Sequence, residues 1–124
     1  MVMKVFTILI VDDSAAMRSL LVSTLETLGQ VHIVQAPNGF EALRMLPREQ
    51  IDLVLTDINM PDINGLELLS FIRNNPIYKE VPVVVISTEG SRKDLEKGLT
   101  LGANEYLVKP FNPDQLLEIV KRYL

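Results

Sequence analysis

The sequence has no cysteine, no tryptophan and only one histidine, His32. Without cysteine there is no disulfide framework, no thiolate nucleophile and no sulfur-ligated zinc or iron–sulfur site, a composition that suits the cytoplasm. Positive charge is also scarce. Twelve Lys and Arg against sixteen Asp and Glu leave a formal net charge of −4, the wrong sign for a surface that neutralises phosphates, so no nucleic-acid partner is expected. Nor does any apolar run reach the roughly 20 residues of a membrane span. The opening stretch from Met1 to Val11 passes directly into Asp12 and Asp13 and has no small-residue cleavage pattern, so it reads as a buried strand rather than a leader or an anchor. Nucleotide signatures are missing too: neither a G-x-x-x-x-G-K-[ST] loop nor a G-x-G-x-x-G turn occurs, so neither ATP nor a dinucleotide is expected as a bound ligand.

Against these absences, 48% of the 124 residues are apolar and 23% are charged, enough for one real interior. Residues 1–124 are expected to form a single domain. Short apolar runs alternate five times with longer amphipathic stretches, the pattern of an α/β fold with a parallel sheet wrapped by helices. The runs lie near Lys4 to Val11, Val31 to Ala36, Ile51 to Thr56, Val81 to Ile86 and Glu105 to Val108. Met17, Leu20, Leu21, Leu25 and Leu28 give the first helix its spacing, and Gly29 is placed to stop it. Asn38 and Asn64 each precede a glutamate by three residues, Glu41 and Glu67, so each is expected to cap a helix with the glutamate reaching back. Pro47 closes the second helix, and Asn112-Pro113 opens the last. The fourth helix, about Ser91 to Leu101, is weaker. Its anchors read as Leu95, Leu99 and Leu101, and Gly98 lowers its propensity by about 1 kcal/mol relative to Ala.

Runs one, three and four are nearly continuous in β-branched residues and Leu, as strands covered on both faces must be, whereas runs two and five carry His32, Gln35, Glu105 and Tyr106. Two and five are therefore the edges. With right-handed crossovers the order is 2-1-3-4-5, which puts ligand chemistry beyond the carboxyl ends of the strands, between strands one and three. Those ends read Asp12-Asp13, Asp57, Ser87-Thr88 and Lys109-Pro110. Each has an ordinary structural explanation alone: Asp13 or Ser14 as a helix cap, Asp57 as a turn residue near Pro61, Asp62 and Gly65, Ser87 as a loop hydroxyl, Lys109 as a solvated side chain. Their convergence on one rim is what those explanations leave out. Three carboxylates at about 4 Å repel by about 4 kcal/mol per pair at an effective dielectric constant near 20, so raised carboxyl pKa values, a lysine or a hard divalent cation must offset them. Asp oxygens, backbone carbonyl and water suit Mg²⁺.

As a set, Val11-Asp12-Asp13-Ser14, Thr56-Asp57-Ile58-Asn59-Met60-Pro61, Gly65, Ser87 and Lys109-Pro110-Phe111 closely resemble the receiver (response regulator) domain of two-component signalling, from Thr7 to Leu124. Tyr106, three residues before the lysine, makes the chain most similar to the single-domain, CheY-type members, whose (βα)5 flavodoxin-like sheet has the same 2-1-3-4-5 order. The resemblance implies that Asp57 accepts a phosphoryl group from a histidine kinase. It implies that Asp12, Asp13, Asp57 and the Asn59 backbone carbonyl hold Mg²⁺, directly or through water. Lys109, Ser87 and Thr88 would contact the phosphoryl oxygens, the Lys109-Pro110 peptide bond would be cis, and Tyr106 would move with Ser87 as a switch. The implied output is a partner protein in chemotaxis or motility, bound through helix four, strand five and helix five. Thr88, where many members have Ala or Gly, narrows access to the phosphoryl group, while Asn59 with Glu89 matches rapidly dephosphorylating members; a short-lived phosphoform is expected. His32, in an apolar edge-strand context, is not the phosphodonor.

Two other readings share the chemistry. One is a phosphorelay intermediate that passes the group to a histidine phosphotransfer protein. The other is a haloacid dehalogenase-like phosphohydrolase, but that family carries its nucleophile after strand one in a D-x-D pattern, whereas Asp12-Asp13-Ser14 stands there. The expected activity is that of a phosphoacceptor switch, with self-phosphorylation from small donors and self-dephosphorylation, not that of a turnover enzyme.

Overall fold

The computed structural model describes residues 5–88 and 92–124. Lys4, Glu89 and Ser91, all named above, lie outside the described residues. Five strands alternate with five helices: β1 (Phe6–Val11), α1 (Ala15–Glu26), β2 (Val31–Ala36), α2 (Gly39–Met45), β3 (Leu53–Asp57), α3 (Gly65–Asn74), β4 (Val83–Ser87), α4 (Arg92–Leu101), β5 (Glu105–Val108) and α5 (Pro113–Lys121). All pairings are parallel and the order is β2-β1-β3-β4-β5. The edges are the two strands whose sequences carry polar residues.

Because successive side chains alternate across a strand, each central strand feeds two cores. Ile8, Ile10, Leu53, Leu55, Val84 and Ile86 meet Leu21 and Leu25 of α1 and Leu116 and Val120 of α5 on one face. Leu9, Val11, Val54, Val83 and Val85 meet Ala42 of α2 and Leu66, Leu68, Leu69 and Ile72 of α3 on the other. Every residue of β3 and β4 is buried. Each fully buried Leu or Ile contributes about 1.5–3 kcal/mol of transfer free energy, so both layers hold the strand ends in place.

The helix starts follow their caps. Asn64 and Asn112 complete capping boxes with Glu67 and Gln115. At Asn38 only half of the expected box forms: its side chain accepts from Glu41 N–H at 2.9 Å, while the Glu41 carboxylate turns to Arg44 at 3.3 Å. Two of the expected anchors are also corrected. Leu20 is 45% exposed, because the buried stripe of α1 runs through Leu21, Thr24 and Leu25, one position round the helix. Leu99 is 49% exposed, and α4 packs through Gly98, the one residue of that helix that is buried, together with the half-buried Leu101. A Cβ at Gly98 would lie 3.7 Å from Leu66 Cδ2, so the glycine faces α3. Among the described residues no helix is long and apolar enough to cross a membrane.

Candidate functional site

The polar residues at the carboxyl ends are brought together by register. Val11 is paired with Thr56, so Asp12 leaves the sheet beside Asp57, the last residue of β3; Asp57 is in turn level with Ile86, one residue before Ser87. Ser87 pairs with Val108, and the Lys109 N–H donates to the Ser87 carbonyl at 2.7 Å, drawing the lysine onto the same rim. The Lys109-Pro110 peptide bond is cis.

The cap of α1 is Ser14, whose Oγ accepts the Met17 N–H at 3.2 Å. That leaves Asp13 without a capping task, exposed at the mouth of the rim. Asp12 is buried, its Oδ1 accepting the Ser14 N–H at 2.8 Å and its Oδ2 accepting from Lys109 Nζ at 2.9 Å. Asp57 is 7% exposed; its Oδ1 accepts the Ile58 N–H at 2.9 Å and stands 3.6 Å from Lys109 Nζ. Carboxylate oxygens of Asp12, Asp13 and Asp57 all lie within 4.8 Å of one another.

Three carboxylates therefore face one ammonium, leaving an excess of two negative charges when all are ionised. Burial first, then the charges of Asp12 and Asp13, push the Asp57 carboxyl above its usual value, against the pull of Lys109 and the Ile58 N–H. A raised carboxyl in a rim with surplus negative charge is what a hard divalent cation would relieve, and the all-oxygen donor set fits Mg²⁺ and not a softer metal. Three carboxylates and a backbone carbonyl, some of them acting through water, leave room for the hydration that Mg²⁺ retains.

Around this centre, Ser87 is fully buried and Thr88 is exposed beside it. Asn59 is exposed two residues beyond Asp57, and Tyr106 is half-buried on edge strand β5 against the core shared by α2 and α3. His32 is exposed on β2, 3.9 Å from Glu49 and remote from the rim. Glu89 lies outside the described residues. Gly65 has a larger role than the turn residue its sequence suggests: a Cβ there would sit on the Asp57 carbonyl oxygen and within 2.9 Å of Ile58 Cα, so only glycine lets α3 begin against the end of β3. Its N–H donates to the Ile58 carbonyl at 2.9 Å, and Asp62, with φ of 67°, turns the intervening loop. Sequence reasoning did not single out Arg18, whose Nη1 donates to the Asp12 carbonyl at 2.6 Å. An arginine in a first helical turn gives no distinctive signal by itself.

A model of the response regulator receiver domain matches residues 8–121. The chain is similar to a chemotaxis protein CheY homolog of Campylobacter jejuni, 39% identical over 112 residues that cover 90% of this chain and 86% of that protein. It is similar to the chemotaxis protein CheY-3 of Vibrio cholerae, 39% identical over 115 residues covering 93% and 88% of the two chains. Among solved structures it resembles the Vibrio cholerae chemotaxis protein CheY4, with a TM-score of 0.90, 35% identity and coverage of 98% of this chain and 100% of that one. It also resembles the receiver domain of a sensor histidine kinase from Pseudomonas aeruginosa, described with a magnesium ion coordinated in its active site cleft, at a TM-score of 0.86 and 28% identity over 97% and 98% of the chains. A sheet order or an acidic rim can arise by itself, but a match running through every strand end that builds the rim cannot be reduced to either, and the chain belongs to the response regulator receiver domains, close to CheY.

Proposed function

We propose that the chain is a magnesium-dependent phosphoacceptor switch in which Asp57 takes a phosphoryl group from a histidine kinase and the modified rim changes affinity for a partner protein. The juxtaposition of Asp12, Asp13 and Asp57 within 4.8 Å, with Lys109 Nζ between Asp12 and Asp57, carries this reading. Phosphoryl transfer asks for charge neutralisation and in-line positioning more than for covalent machinery, and one carboxylate suffices as nucleophile.

Asp57 Oδ1 is held by the Ile58 N–H at 2.9 Å, with Lys109 Nζ 3.6 Å away. In the proposed step an Asp57 oxygen bonds to phosphorus as the phosphorus–nitrogen bond of a phosphohistidine breaks, and the electron pair of that bond leaves with the ring nitrogen. Asp12, Asp13, Asp57 and the Asn59 carbonyl would hold Mg²⁺, directly or through water, and the ion would supply positive charge for the phosphoryl oxygens. Lys109 has a short path from the carboxylates to those oxygens, and the buried Ser87 hydroxyl and Thr88 stand at the end of β4 to meet them.

Readout follows from what adjoins the rim. The strand carrying Tyr106 pairs with the strand ending in Ser87, and α4 has a single fully buried residue, Gly98. A shift of Ser87, Tyr106 and α4 would alter the face formed by α4, β5 and α5, which is the proposed surface for a downstream partner. The names of the CheY relatives favour a chemotaxis or motility role over a relay to a histidine phosphotransfer protein. Intact mass after incubation with acetyl phosphate and Mg²⁺ tests the reading. The wild type is expected to gain one phosphoryl group, and Asp57→Asn and Mg²⁺-free samples none; an unmodified wild type under these conditions overturns it.

A further inference from the structure

We infer that Arg18 is a positioning residue for the acidic rim, fixing the main chain of Asp12 and through it the carboxylates that bind Mg²⁺, an inference that rests on the reading of the rim as a magnesium site. Arg18 is the fourth residue of α1, and its amide is engaged inside the helix with the Ser14 carbonyl at 3.0 Å. Its half-buried side chain turns back over the helix start to donate Nη1 to the Asp12 carbonyl at 2.6 Å. A charged donor at that distance is among the stronger hydrogen bonds a main-chain carbonyl accepts.

Asp12 is held from every side by this bond and three others. Its N–H donates to the Ala36 carbonyl at 3.2 Å, Oδ1 accepts from Ser14 N–H and Oδ2 from Lys109. The first ties the residue to β2, the second to the cap of α1 and the third to the end of β5. Arg18 alone of these partners grips the carbonyl that leads into Asp13. Without it, the peptide joining the two acidic residues loses the restraint on its carbonyl, and mutual repulsion favours rotation that carries the exposed Asp13 carboxylate away from Asp12 and Asp57. The arginine thus opposes the distortion that the rim's own charge promotes. Its charge works in the opposite sense, since a cation beside the rim repels Mg²⁺.

The two effects have opposite signs, which makes them separable. Mg²⁺ affinity is measured by thermal-shift titration on wild type, Arg18→Gln and Arg18→Lys, alongside intact mass with acetyl phosphate at saturating Mg²⁺. Positioning predicts that Arg18→Gln weakens Mg²⁺ binding by about tenfold, as loss of an outer-shell partner does, and that Arg18→Lys, which keeps a donor but loses the planar fork, weakens it less. Both variants should still be phosphorylated when Mg²⁺ is saturating. Tighter Mg²⁺ binding in Arg18→Gln would overturn the inference in favour of a through-space charge effect. An unchanged affinity with a lowered melting temperature would overturn it in favour of a purely structural contact. Should Arg18→Gln not fold, Arg18→Lys decides by the same signs. Failure of wild type to bind Mg²⁺ or gain the phosphoryl mass would instead sink the underlying functional reading.

Discussion

Lys109 stands closer to Asp12 than to Asp57: its Nζ lies 2.9 Å from Asp12 Oδ2 and 3.6 Å from Asp57 Oδ1. The ammonium is therefore engaged chiefly with the carboxylate that is not the proposed acceptor. All three side chains are at most 10% exposed, so removing the lysine strands Asp12 in a poorly solvated site. Lys109→Met should lower stability without metal by about 3–5 kcal/mol, the cost of breaking a buried pair from one side. With the repelling cation gone, added Mg²⁺ should raise the melting temperature more than it does in wild type. Thermal melts with chelator and with Mg²⁺ check this; an equal metal-induced shift in the two proteins refutes it.

Burial and the neighbouring carboxylates raise the Asp57 pKa on folding, so the folded state holds that proton more tightly than the unfolded chain does. Ionised Asp57 therefore detracts from stability at all pH values above its folded pKa, and the penalty fades as pH falls through it. In chelator, Asp57→Asn should melt above wild type near neutral pH, and the gap should close as the solution is acidified through the carboxylate range. Mg²⁺ should shrink the gap at neutral pH. A variant that melts below wild type throughout would show that the carboxylate's hydrogen bond outweighs its desolvation.

Gly65 tests how tightly the backbone of Asp57 is held. The atom that Gly65→Ala would add meets main chain of Asp57 and Ile58, which no side-chain rotation can relieve. Overpacking of this kind destabilises by about 1–3 kcal/mol, and here the displaced atoms carry the Asp57 carboxylate. The denaturation midpoint should fall, and Mg²⁺ affinity should fall with it. A variant with the lower midpoint but wild-type Mg²⁺ affinity would show that the end of β3 recovers its position.

At the far end of β5, Tyr123 donates its hydroxyl to Glu105 Oε2 at 2.6 Å, and Arg122 Nη1 donates to Oε1 of the same carboxylate at 2.6 Å. Burial and this bond push the Tyr123 phenol up from 10.0 to about 12. Since the neutral phenol is the favoured partner, its contribution is present below the unfolded pKa and is lost as pH rises through about 12. An alkaline titration followed by tyrosinate absorbance, unobscured by tryptophan, should show a late-ionising step. Tyr123→Phe should remove that late step; a late step that persists assigns it to Tyr78 or Tyr106.

The strand order and the rim were legible because each rests on a local, repeated signal. Unbroken β-branched runs mark the central strands, polar residues at His32, Gln35 and Glu105 mark the edges, and the rim residues immediately follow strand ends. What escaped were contacts between elements distant in sequence. Nothing in the spacing of α1 separates Leu20, which faces outward, from Leu21, and nothing near Arg18 declares that its side chain returns to Asp12. The close approach of Gly65 to Asp57 likewise depends on how α3 leaves the loop. For α4 the residue counted as a weakness is a contact point: Gly98 faces Leu66 of α3, while Leu99 faces out.

Gly98→Ala turns that observation into a prediction. The added Cβ would lie 3.7 Å from Leu66 Cδ2 and 4.0 Å from the Ala103 Cβ, ordinary packing distances, so nothing must move to admit it. Alanine in a helix interior is favoured over glycine by about 1 kcal/mol, chiefly because the unfolded chain has less freedom to lose. The variant should therefore unfold at higher denaturant, and the α4 amides should exchange with solvent about fivefold more slowly. If α4 has to yield for phosphorylation to reach the α4, β5 and α5 surface, the stiffened helix should also blunt the change in partner affinity while leaving the rate of mass gain from acetyl phosphate unaltered. Slower exchange accompanied by an undiminished change in affinity would place the switch elsewhere, on Tyr106 and β5.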